Sequence, residues 1–325
     1  MTSSVMPATL SFAVISCSGR SFTGVTLPRA GAAVLNRIDR RADSGAMEVA
    51  AALRETARLT VHPALDGLEM LAATYRDHAY ALHTHPTYVF GVVTEGVERF
   101  RVGRTGNLAM PGSILVVNPE EPHDGEKGCD AGWSYRTCYP PVALMREIAD
   151  DLGLPDVPLF RSAVLPAPDL AAAFAAAHAT AAHGDGGPDD AESAMLTVLA
   201  AIVRRFGDRP AGRPADRSGA SRRLALYDAA IADDLAASFP LSRLADVGGV
   251  NRFQVIRDFK RMAGMTPGQY VRDRRIRRAC DLIGTGLPLA AIASEAGFAD
   301  QSHLTRAFKT VKGVTPAAYR RAIVG

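Results

Sequence analysis

One stretch of sequence decides the predicted fold of the C-terminal third of the chain: Gly297-Phe298-Ala299-Asp300-Gln301-Ser302-His303-Leu304-Thr305-Arg306-Ala307-Phe308-Lys309. Glycine commonly ends a helix, so Gly297 marks a helix C-terminus. Asp300 is a suitable N-cap for the next helix, because its side chain can accept a hydrogen bond from a free backbone N–H group. Beyond it, Leu304, Ala307 and Phe308 fall on one helical face. The stretch therefore predicts a tight turn and a helix with one buried and one exposed face.

The same pattern occurs earlier, so the last hundred residues contain an internal duplication. Residues 241–245 align with residues 289–293 at an offset of 48, as Gly249 does with Gly297. Beyond this glycine the offset is 49, so a one-residue insertion lies in the turn, where insertions are tolerated. The remaining matches are Phe259-Lys260 with Phe308-Lys309, Gly264-Met265-Thr266-Pro267 with Gly313-Val314-Thr315-Pro316, and Tyr270 with Tyr319.

Each copy predicts a helix, a short turn and a second helix. Asn251 is the expected N-cap in the first copy, as Asp300 is in the second. Both copies finish with threonine and proline, which suit the cap and the first turn of a following helix. The residues expected to face inward are Leu244, Val247, Val255, Phe259 and Met262 in the first copy and Ile292, Ala293, Leu304, Ala307 and Phe308 in the second.

Helix–turn–helix units bind DNA by placing the second helix in the major groove. Arginine can pair with guanine, glutamine with adenine, and an apolar side chain can touch the thymine methyl group. The outward residues of the two second helices suit this use. We expect DNA contacts from Asn251, Arg252, Phe253, Gln254, Ile256 and Arg257 in the first copy and from Gln301, Ser302, His303, Thr305 and Arg306 in the second.

The charge distribution supports a nucleic-acid partner. Residues 221–325 carry 17 Lys and Arg against 9 Asp and Glu, a net charge of +8, whereas the whole chain carries +3. The rest of the chain is therefore acidic. A helix predicted over residues 269–282 joins the two copies, and its arginines are expected to contact phosphate or acidic neighbours. These are Arg272, Arg274, Arg275, Arg277 and Arg278.

Composition and length exclude several protein classes. The 325 residues suffice for about two domains, and 47% apolar with 22% charged residues excludes a mainly disordered chain. The four cysteines show no metal-ligand spacing, which favours reduced thiols in a cytoplasmic protein. No apolar stretch reaches the ~18 residues of a membrane span, so no membrane partner is expected.

Residues 68–141 have the character of an all-β domain. Short β-rich runs at residues 70–75, 88–94, 99–102, 113–117 and 133–139 alternate with glycine and proline turns. His83 and His85 lie two residues apart, which in a strand places both on one face. His123 follows about forty residues later, after Pro119-Glu120-Glu121-Pro122. The pattern resembles the two motif regions of the cupin β-barrel, in which such histidines together with a glutamate commonly hold a metal.

That glutamate is absent from the expected place, since Tyr88, Val89 and Phe90 occupy the positions three to five beyond His85. Three interpretations of the histidines are open: a Zn²⁺ or Fe²⁺ site, the wall of a pocket for a small organic ligand, or a structural role. We expect the ligand pocket, with no cofactor and no bound metal. The expected effector-binding residues are His83, His85, Tyr88, His123, Trp133 and Tyr135.

The other segments complete the predicted domain organisation. Residues 1–46 are a poorly defined extension, and Met47 is an alternative start. The β-barrel covers residues 47–141. A helical connector at 142–206, suited to dimerisation, precedes a Gly/Pro-rich linker at 207–221. The DNA-binding domain covers residues 222–325.

Residues 222–325 resemble the DNA-binding domain of the AraC/XylS family of bacterial transcription regulators, on the stretch quoted above together with Gly313-Val314-Thr315-Pro316 and Tyr319-Arg320. The first copy departs slightly: Asn251 replaces the usual serine, and Ile256 stands where a polar residue is common. Residues 68–139 resemble the cupin-like sensing domain of the same family. The implied fold is a multidomain α and β protein, with a cupin-like β-barrel, a helical connector and an all-α double helix–turn–helix domain.

The resemblance implies a regulator that is not an enzyme. It would be a homodimeric activator, bind promoter DNA in successive major grooves ~34 Å apart, respond to a small-molecule effector in the barrel, and act beside RNA polymerase. Two alternatives are a cupin-type metal-dependent enzyme fused to a DNA-binding tail and an architectural DNA-binding protein. The missing glutamate argues against the first, and the composition of the outward faces argues against the second.

Overall fold

The computed structural model describes residues 55–324, apart from residues 63, 64, 66, 184–187 and 209–218. The predicted extension at residues 1–46 lies outside the described residues, as does most of the predicted linker at 207–221. At the end of that linker a helix begins at Gly219, ahead of the predicted domain start at residue 222.

The β-domain consists of two antiparallel sheets that face each other. One sheet has the strand order β1-β2-β9-β4-β7-β10 and the other β3-β8-β5-β6. Their inner faces meet in one core, to which Val89, Leu115 and Tyr135 of the first sheet and Phe100 of the second contribute. This arrangement confirms the predicted cupin-like fold. The strands are β1 (Thr56–His62), β2 (Leu68–Tyr75), β3 (Ala79–His83), β4 (Val89–Gly96), β5 (Glu98–Val102), β6 (Thr105–Ala109), β7 (Ser113–Val117), β8 (His123–Lys127), β9 (Trp133–Cys138) and β10 (Val164–Pro166).

The five strands predicted from β-rich runs are confirmed as β2, β4, β5, β7 and β9. The other five strands were not predicted. β6 reads Thr-Gly-Asn-Leu-Ala and β8 reads His-Asp-Gly-Glu-Lys, so neither has a strand-like composition. Both pair with β5, one on each side, and this ladder holds them in the sheet.

Ten helices occur in the described part of the chain, and none of these is long and apolar enough to cross a membrane. They are α1 (Val142–Asp151), α2 (Pro168–His183), α3 (Pro188–Phe206), α4 (Gly219–Asp233), α5 (Leu241–Gly248), α6 (Arg252–Met262), α7 (Pro267–Ile283), α8 (Leu289–Glu295), α9 (Gln301–Lys312) and α10 (Pro316–Val324). The first three pack on the outer face of the larger sheet: Met145, Phe174 and Met195 share a buried cluster with Phe90 and Val116. The predicted connector is thus helical and joined to the barrel.

The sequence repeat is also a repeat of structure. Helices α5 and α6 form the first helix–turn–helix unit, and α8 and α9 form the second. At an offset of 49, residues 252–259 and 301–308 have nearly the same sequence of exposed, half-buried and buried positions. Phe259 and Phe308, which are equivalent, are both fully buried. Helices α6 and α9 therefore present equivalent outward faces.

The predicted helix caps are confirmed. The Asn251 side chain accepts a hydrogen bond from the backbone N–H of Gln254 at 2.9 Å, and Asp300 accepts one from the N–H of His303 at 2.6 Å. Thr266 and Gln269 form a reciprocal capping box at the start of α7. These contacts fix where each helix of the DNA-binding domain begins.

Two inward assignments in the first copy need correction. Val247 is 36% exposed, and Ala245 is buried beside Leu244 in its place. A helix of eight residues presents a narrow buried face, and α5 turns Val247 away from it. Met262 is half-buried, because it lies at the last position of α6.

Replacing a glycine that follows a helix can lower stability in two ways, through backbone strain and through overlap of the added Cβ atom with its neighbours. Three glycines allow these two effects to be measured separately. Gly249 and Gly313 have φ of 61° and 71°, a region that favours glycine. A Cβ atom on Gly249 would meet open space, whereas one on Gly313 would overlap the hydroxyl groups of Tyr75 and Tyr80 in the barrel. We expect Gly249→Ala to lower the free energy of unfolding by about 1 kcal/mol through backbone strain alone. Gly313→Ala should cost a further ~1–3 kcal/mol from overpacking.

Urea denaturation of both variants measures this difference. Gly153→Ala is the control outside the DNA-binding domain, because Gly153 has φ of 68° and open space around the added Cβ atom. Equal losses of stability for Gly249→Ala and Gly313→Ala would show that the contact of Gly313 with the barrel is absent in solution.

Candidate nucleic-acid interface and effector cavities

The outer face of α6 matches the predicted recognition face in part. Arg252, Phe253 and Arg257 are exposed, and Phe253 is exposed over 71% of its surface. An exposed phenylalanine of this extent suits contact with thymine methyl groups. Ile256 is half-buried, and the Asn251 side chain already serves as the helix cap.

The Gln254 side chain is hydrogen-bonded within the protein. Its amide nitrogen donates to Asp258 at 2.8 Å, and its amide oxygen accepts from the Arg257 guanidinium at 2.6 and 3.2 Å. Asp258 is 1% exposed and also accepts two hydrogen bonds from Arg223. The hydrogen bond from the Arg223 guanidinium lowers the pKa of Asp258, and this effect exceeds the opposing effect of burial. Gln254 thus connects a buried carboxylate to Arg257 and orients that arginine outward.

The outer face of α9 presents small and charged side chains. Gln301, Ser302 and Arg306 are exposed, and Arg306 forms no hydrogen bond or ion pair with another described residue. The Thr305 hydroxyl donates to the carbonyl of Gln301 within the helix. His303 is half-buried, with its ring edge-on to Phe298 at a centroid distance of 5.2 Å. The Arg306 side chain is therefore open to solvent on the outer face of the second unit.

The arginines of α7 are divided between protein contacts and solvent. Arg274 pairs with Asp228, Arg275 donates to the carbonyls of Leu235 and Ala237, and Arg277 pairs with Glu120 of the barrel. Of the other two, Arg272 is exposed and Arg278 lines the cavity between the domains described below. The prediction of acidic neighbours is thus confirmed for Arg274 and Arg277.

Four of the six predicted effector residues, the three histidines and Tyr135, line one small cavity inside the barrel. The Nε2 atoms of His83 and His85 are 3.0 Å apart, and the His123 ring lies 4.3 Å from that of His83 between centroids. His83 is the last residue of β3, so His85 lies beyond the strand rather than within it. Tyr135 and Glu98 line the same cavity, which has a volume of about 40 Å³.

Burial sets the protonation of this cluster. Burial, with the charge of a neighbouring histidine second, lowers the pKa of His83 and His85 well below the usual value. Burial also lowers the pKa of His123 and raises that of Glu98 to about 8. Burial thus favours the neutral form of all four side chains.

Tyr88 and Trp133, which were predicted to share a pocket with the histidines, do not line this cavity. Val89 lines the cavity, and its neighbour Tyr88 consequently points to the other face of the sheet, where its hydroxyl donates to the carbonyl of Pro158 at 2.7 Å. Trp133 is two residues before Tyr135 on β9, which displaces it by about 7 Å along the strand. It packs on Tyr75 instead.

A much larger cavity lies between the barrel and the DNA-binding domain. Its volume is about 580 Å³, which falls in the range of ligand pockets, whereas the histidine cavity is too small for an organic ligand. His85 and Tyr139 line both cavities. The barrel contributes Glu69 and Thr84 to the larger one, and the DNA-binding domain contributes Asp273, Arg277 and Lys312 among others.

The walls of this interdomain cavity contain several of the contacts that join the two domains. Lys312 at the end of α9 pairs with Glu69 of β2 at 3.0 Å, and the Tyr319 hydroxyl donates to the same carboxylate. Asp273 of α7 accepts from the backbone N–H of Thr84 at 3.1 Å and from its hydroxyl at 2.7 Å.

These joining residues and Glu98 were not predicted from the sequence. One signal was present: Asp273 falls on the inward face of α7, three residues before the buried Ile276, and a buried carboxylate needs a partner. Glu98 and Phe100 lie two residues apart on β5, which places both on the face that lines the histidine cavity. The strand periodicity of the sequence could have indicated this shared face.

Comparison with known protein families finds two matches. Residues 67–199 match the AraC-like ligand binding domain, and residues 244–322 match a helix-turn-helix domain. The first segment contains most of the barrel and its helices, and the second contains both helix–turn–helix units.

Similar proteins cover both segments. The uncharacterized HTH-type transcriptional regulator YbfI of Bacillus subtilis is 25% identical over 227 residues, which is 68% of this chain and 80% of YbfI. The multiple antibiotic resistance protein MarA of Escherichia coli is 33% identical over 91 residues, which is 28% of this chain and 72% of MarA. Among solved structures, ToxT of Vibrio cholerae O395 is 12% identical with a TM-score of 0.45, covering 83% of this chain and 98% of that one.

The family assignment follows from the two domain matches, their order and the coverage of these relatives. Both predicted domains are present, and the helix–turn–helix repeat that carried the resemblance is present in the structure. The chain belongs to the AraC family of transcriptional regulators, with an N-terminal ligand-binding domain followed by a helix–turn–helix DNA-binding domain.

Proposed function

We propose that this regulator reads promoter DNA with the outer faces of α6 and α9 and is controlled by a small organic effector in the interdomain cavity. The observation that carries the proposal is the placement of a ligand-sized cavity directly against α7, the helix that connects the two helix–turn–helix units. A molecule in that cavity touches both the barrel and the DNA-binding domain.

The residues proposed to contact bases differ in their expected contribution to recognition. Arg257 and Arg306 occupy equivalent positions in the repeat, and both are exposed, which supports bidentate pairing with guanine. Phe253 supplies apolar contact in the first unit. Gln301 and Ser302 extend the polar face of the second. Among the other predicted contacts, Asn251 is assigned to capping α6, Gln254 to orienting Arg257, and Arg252 to phosphate contact. Ile256, His303 and Thr305 stay as predicted contacts.

The cavity size favours the interdomain space as the effector site. About 580 Å³ accommodates an organic molecule, and paired charges such as Lys312–Glu69 and Arg274–Asp228 line it. An effector that separates or replaces one of these pairs would alter the joint between the domains. It can shift the equilibrium only through a difference in its affinity for the two arrangements.

Other features of the proposal concern assembly and output. A groove of about 750 Å³ between α1 and α3, lined by Leu144, Ile148 and Leu196, supports a homodimer formed through these helices. Activation through contact with RNA polymerase, action in the cytoplasm where promoter DNA lies, and the absence of a catalytic role are proposed by extension from the family.

Selection of genomic DNA fragments by the purified full-length protein at physiological salt tests the proposal as a whole. A few enriched promoters are expected, and the genes behind them indicate the chemistry of the effector. Diffuse, salt-sensitive binding to all fragments, in the presence of extracts of small molecules as well as in their absence, would contradict specific regulation.

Arg306→Ala is expected to reduce sequence preference more than total affinity. Loss of a bidentate arginine–guanine pair costs ~1–3 kcal/mol of discrimination, or about 5- to 160-fold in affinity for a selected promoter. Affinity for unrelated DNA should change little. Titration of both DNAs in fluorescence anisotropy measures the two effects, and Arg99→Ala, on the barrel surface and paired with Glu126, is the matched control.

Parallel losses of specific and non-specific affinity, with a reduced salt dependence, would assign Arg306 to a phosphate contact instead.

Glu69→Gln is expected to uncouple the barrel from the DNA-binding domain. The side chains of Lys312 and Glu69 are only 15% and 22% exposed, so the substitution leaves a poorly solvated charge without its partner. The single tryptophan, Trp133, lies in the barrel, so its fluorescence reports barrel unfolding, while circular dichroism at 222 nm reports mainly the helices. The two thermal transitions should coincide in the wild type and separate in the variant.

Glu126→Gln is the matched control, since Glu126 pairs with Arg99 on the surface with both side chains more than half exposed. Coincident transitions in Glu69→Gln would contradict a role of this ion pair in joining the domains.

A further inference from the structure

A buried carboxylate ties helix α6 to helix α4. Asp258 of α6 is 1% exposed, and its Oδ2 atom accepts from Nε of Arg223 at 2.6 Å and from the Tyr227 hydroxyl at 3.3 Å. Its Oδ1 atom accepts from Nη2 of Arg223 at 2.9 Å and from the Gln254 amide nitrogen at 2.8 Å. Both carboxylate oxygens are thus satisfied by two donors each, which fixes this group in place.

The chemistry of the partners fixes the orientation of Gln254. A carboxylate only accepts hydrogen bonds, so the Gln254 amide nitrogen must face Asp258 and the amide oxygen must face away from it. That oxygen accepts from Nε and Nη2 of Arg257, at 3.2 and 2.6 Å. A guanidinium group has five N–H donors, so both hydrogens of Nη1 and one of Nη2 are left. The edge between Nη1 and Nη2 can therefore still donate to O6 and N7 of one guanine.

The second helix–turn–helix unit repeats the arginine but not the side chains that hold it. At the offset of 49 the arginine is Arg306, which is exposed and forms no hydrogen bond with another described residue. The place of Asp258 is taken by Ala307, which has no polar side-chain atom, and the place of Gln254 is taken by His303. The two units therefore present the same residue to DNA in different states, held in the first and free to rotate in the second.

We propose that the buried Arg223–Asp258 pair is a positioning element for DNA recognition, and that it holds the Arg257 guanidinium in the orientation that pairs with guanine. Gln254 connects the pair to this arginine. The half-site that α6 contacts, meaning the base pairs beneath its outer face, is consequently read more stringently than the half-site that α9 contacts. The proposal rests on the function proposed above, in which the outer faces of both helices contact bases.

Holding the arginine raises discrimination in two ways. An arginine that is ordered before DNA arrives loses less side-chain freedom on pairing, which stabilises the correct complex. At a wrong base a free arginine can swing to a nearby phosphate, whereas a held arginine leaves its donors facing a group that cannot accept them. Ordering one long side chain changes an equilibrium constant by about 2- to 12-fold, so the difference between the two units is measurable.

The experiment selects bound sequences from a randomised DNA library with the full-length protein and then measures dissociation constants for duplexes that differ at one base pair. Arg257→Ala and Arg306→Ala should each remove the guanine preference at one position, which assigns the two half-sites. At the Arg257 position the wild type should bind guanine about 5- to 160-fold more tightly than adenine. This ratio should exceed the corresponding ratio at the Arg306 position.

Gln254→Met and Asp258→Asn should each lower the guanine-to-adenine ratio at the Arg257 position by about 2- to 12-fold. The ratio at the Arg306 position and the affinity for unrelated DNA should stay unchanged. Gln254→Met replaces one long, helix-favouring side chain by another and leaves the Arg223–Asp258 pair intact, so it remains folded even where Asp258→Asn does not. Circular dichroism melting of both variants verifies their folding.

A conservative change on α4 tests the far end of the network. Arg223→Lys should lower the same ratio, because lysine keeps the positive charge but lacks the two-pronged fork that Asp258 accepts. Arg222→Lys is the matched control, because Arg222 is the exposed neighbour on the same helix, and it should leave the ratio unchanged.

An unchanged ratio in folded Gln254→Met would overturn the proposal, as would a guanine preference at the Arg306 position equal to that at the Arg257 position. Loss of an adenine preference at an adjacent base pair, with the guanine ratio intact, would show instead that Gln254 reads DNA directly. A library selection that yields no preferred sequence would overturn the proposed function as well, which distinguishes it from these results.

Discussion

An ion pair across the joint between the two domains constrains much of the rest of the structure. Lys312 ends the recognition helix of the second unit, where its ammonium group has little contact with water, and Glu69 on the barrel neutralises it. The positive charge of Lys312 cannot be left alone in this place without cost, so the end of α9 and the strand β2 must stay together. Tyr319 on α10 binds the same carboxylate, which extends the constraint to the last helix.

A second contact makes the joint rigid in another direction. Asp273 projects from α7 into the barrel side and is satisfied by Thr84, while Arg277 of the same helix pairs with Glu120. The helix that connects the two DNA-reading units is thus held by the sensing domain at one face. The interdomain cavity is lined by this same helix, so a ligand placed there would contact the helix that carries both units.

The degree to which the site followed from the sequence differs between its two halves. The outward faces of α6 and α9 were predictable, because helical spacing and caps decide locally which residues point away from the core. Arg252, Arg257 and Arg306 are exposed as expected. Gln254 was predictable only as an outward residue, since its link to Asp258 depends on Arg223 from another helix. In the barrel, the Tyr88 side chain points away from the histidine cavity, because a shift of one residue along a strand reverses the direction of the side chain.

The sequence by itself determined the repeat, the two helix–turn–helix units and the closeness of His83 and His85, because each of these depends on interactions within a few residues or on a duplicated pattern. Only the tertiary structure decided that Glu98 reaches the histidines, that Lys312 meets Glu69, and that the ligand-sized cavity lies between the domains rather than inside the barrel. These are contacts between segments far apart in the chain. Their existence depends on how complete faces pack, and no local spacing records that packing.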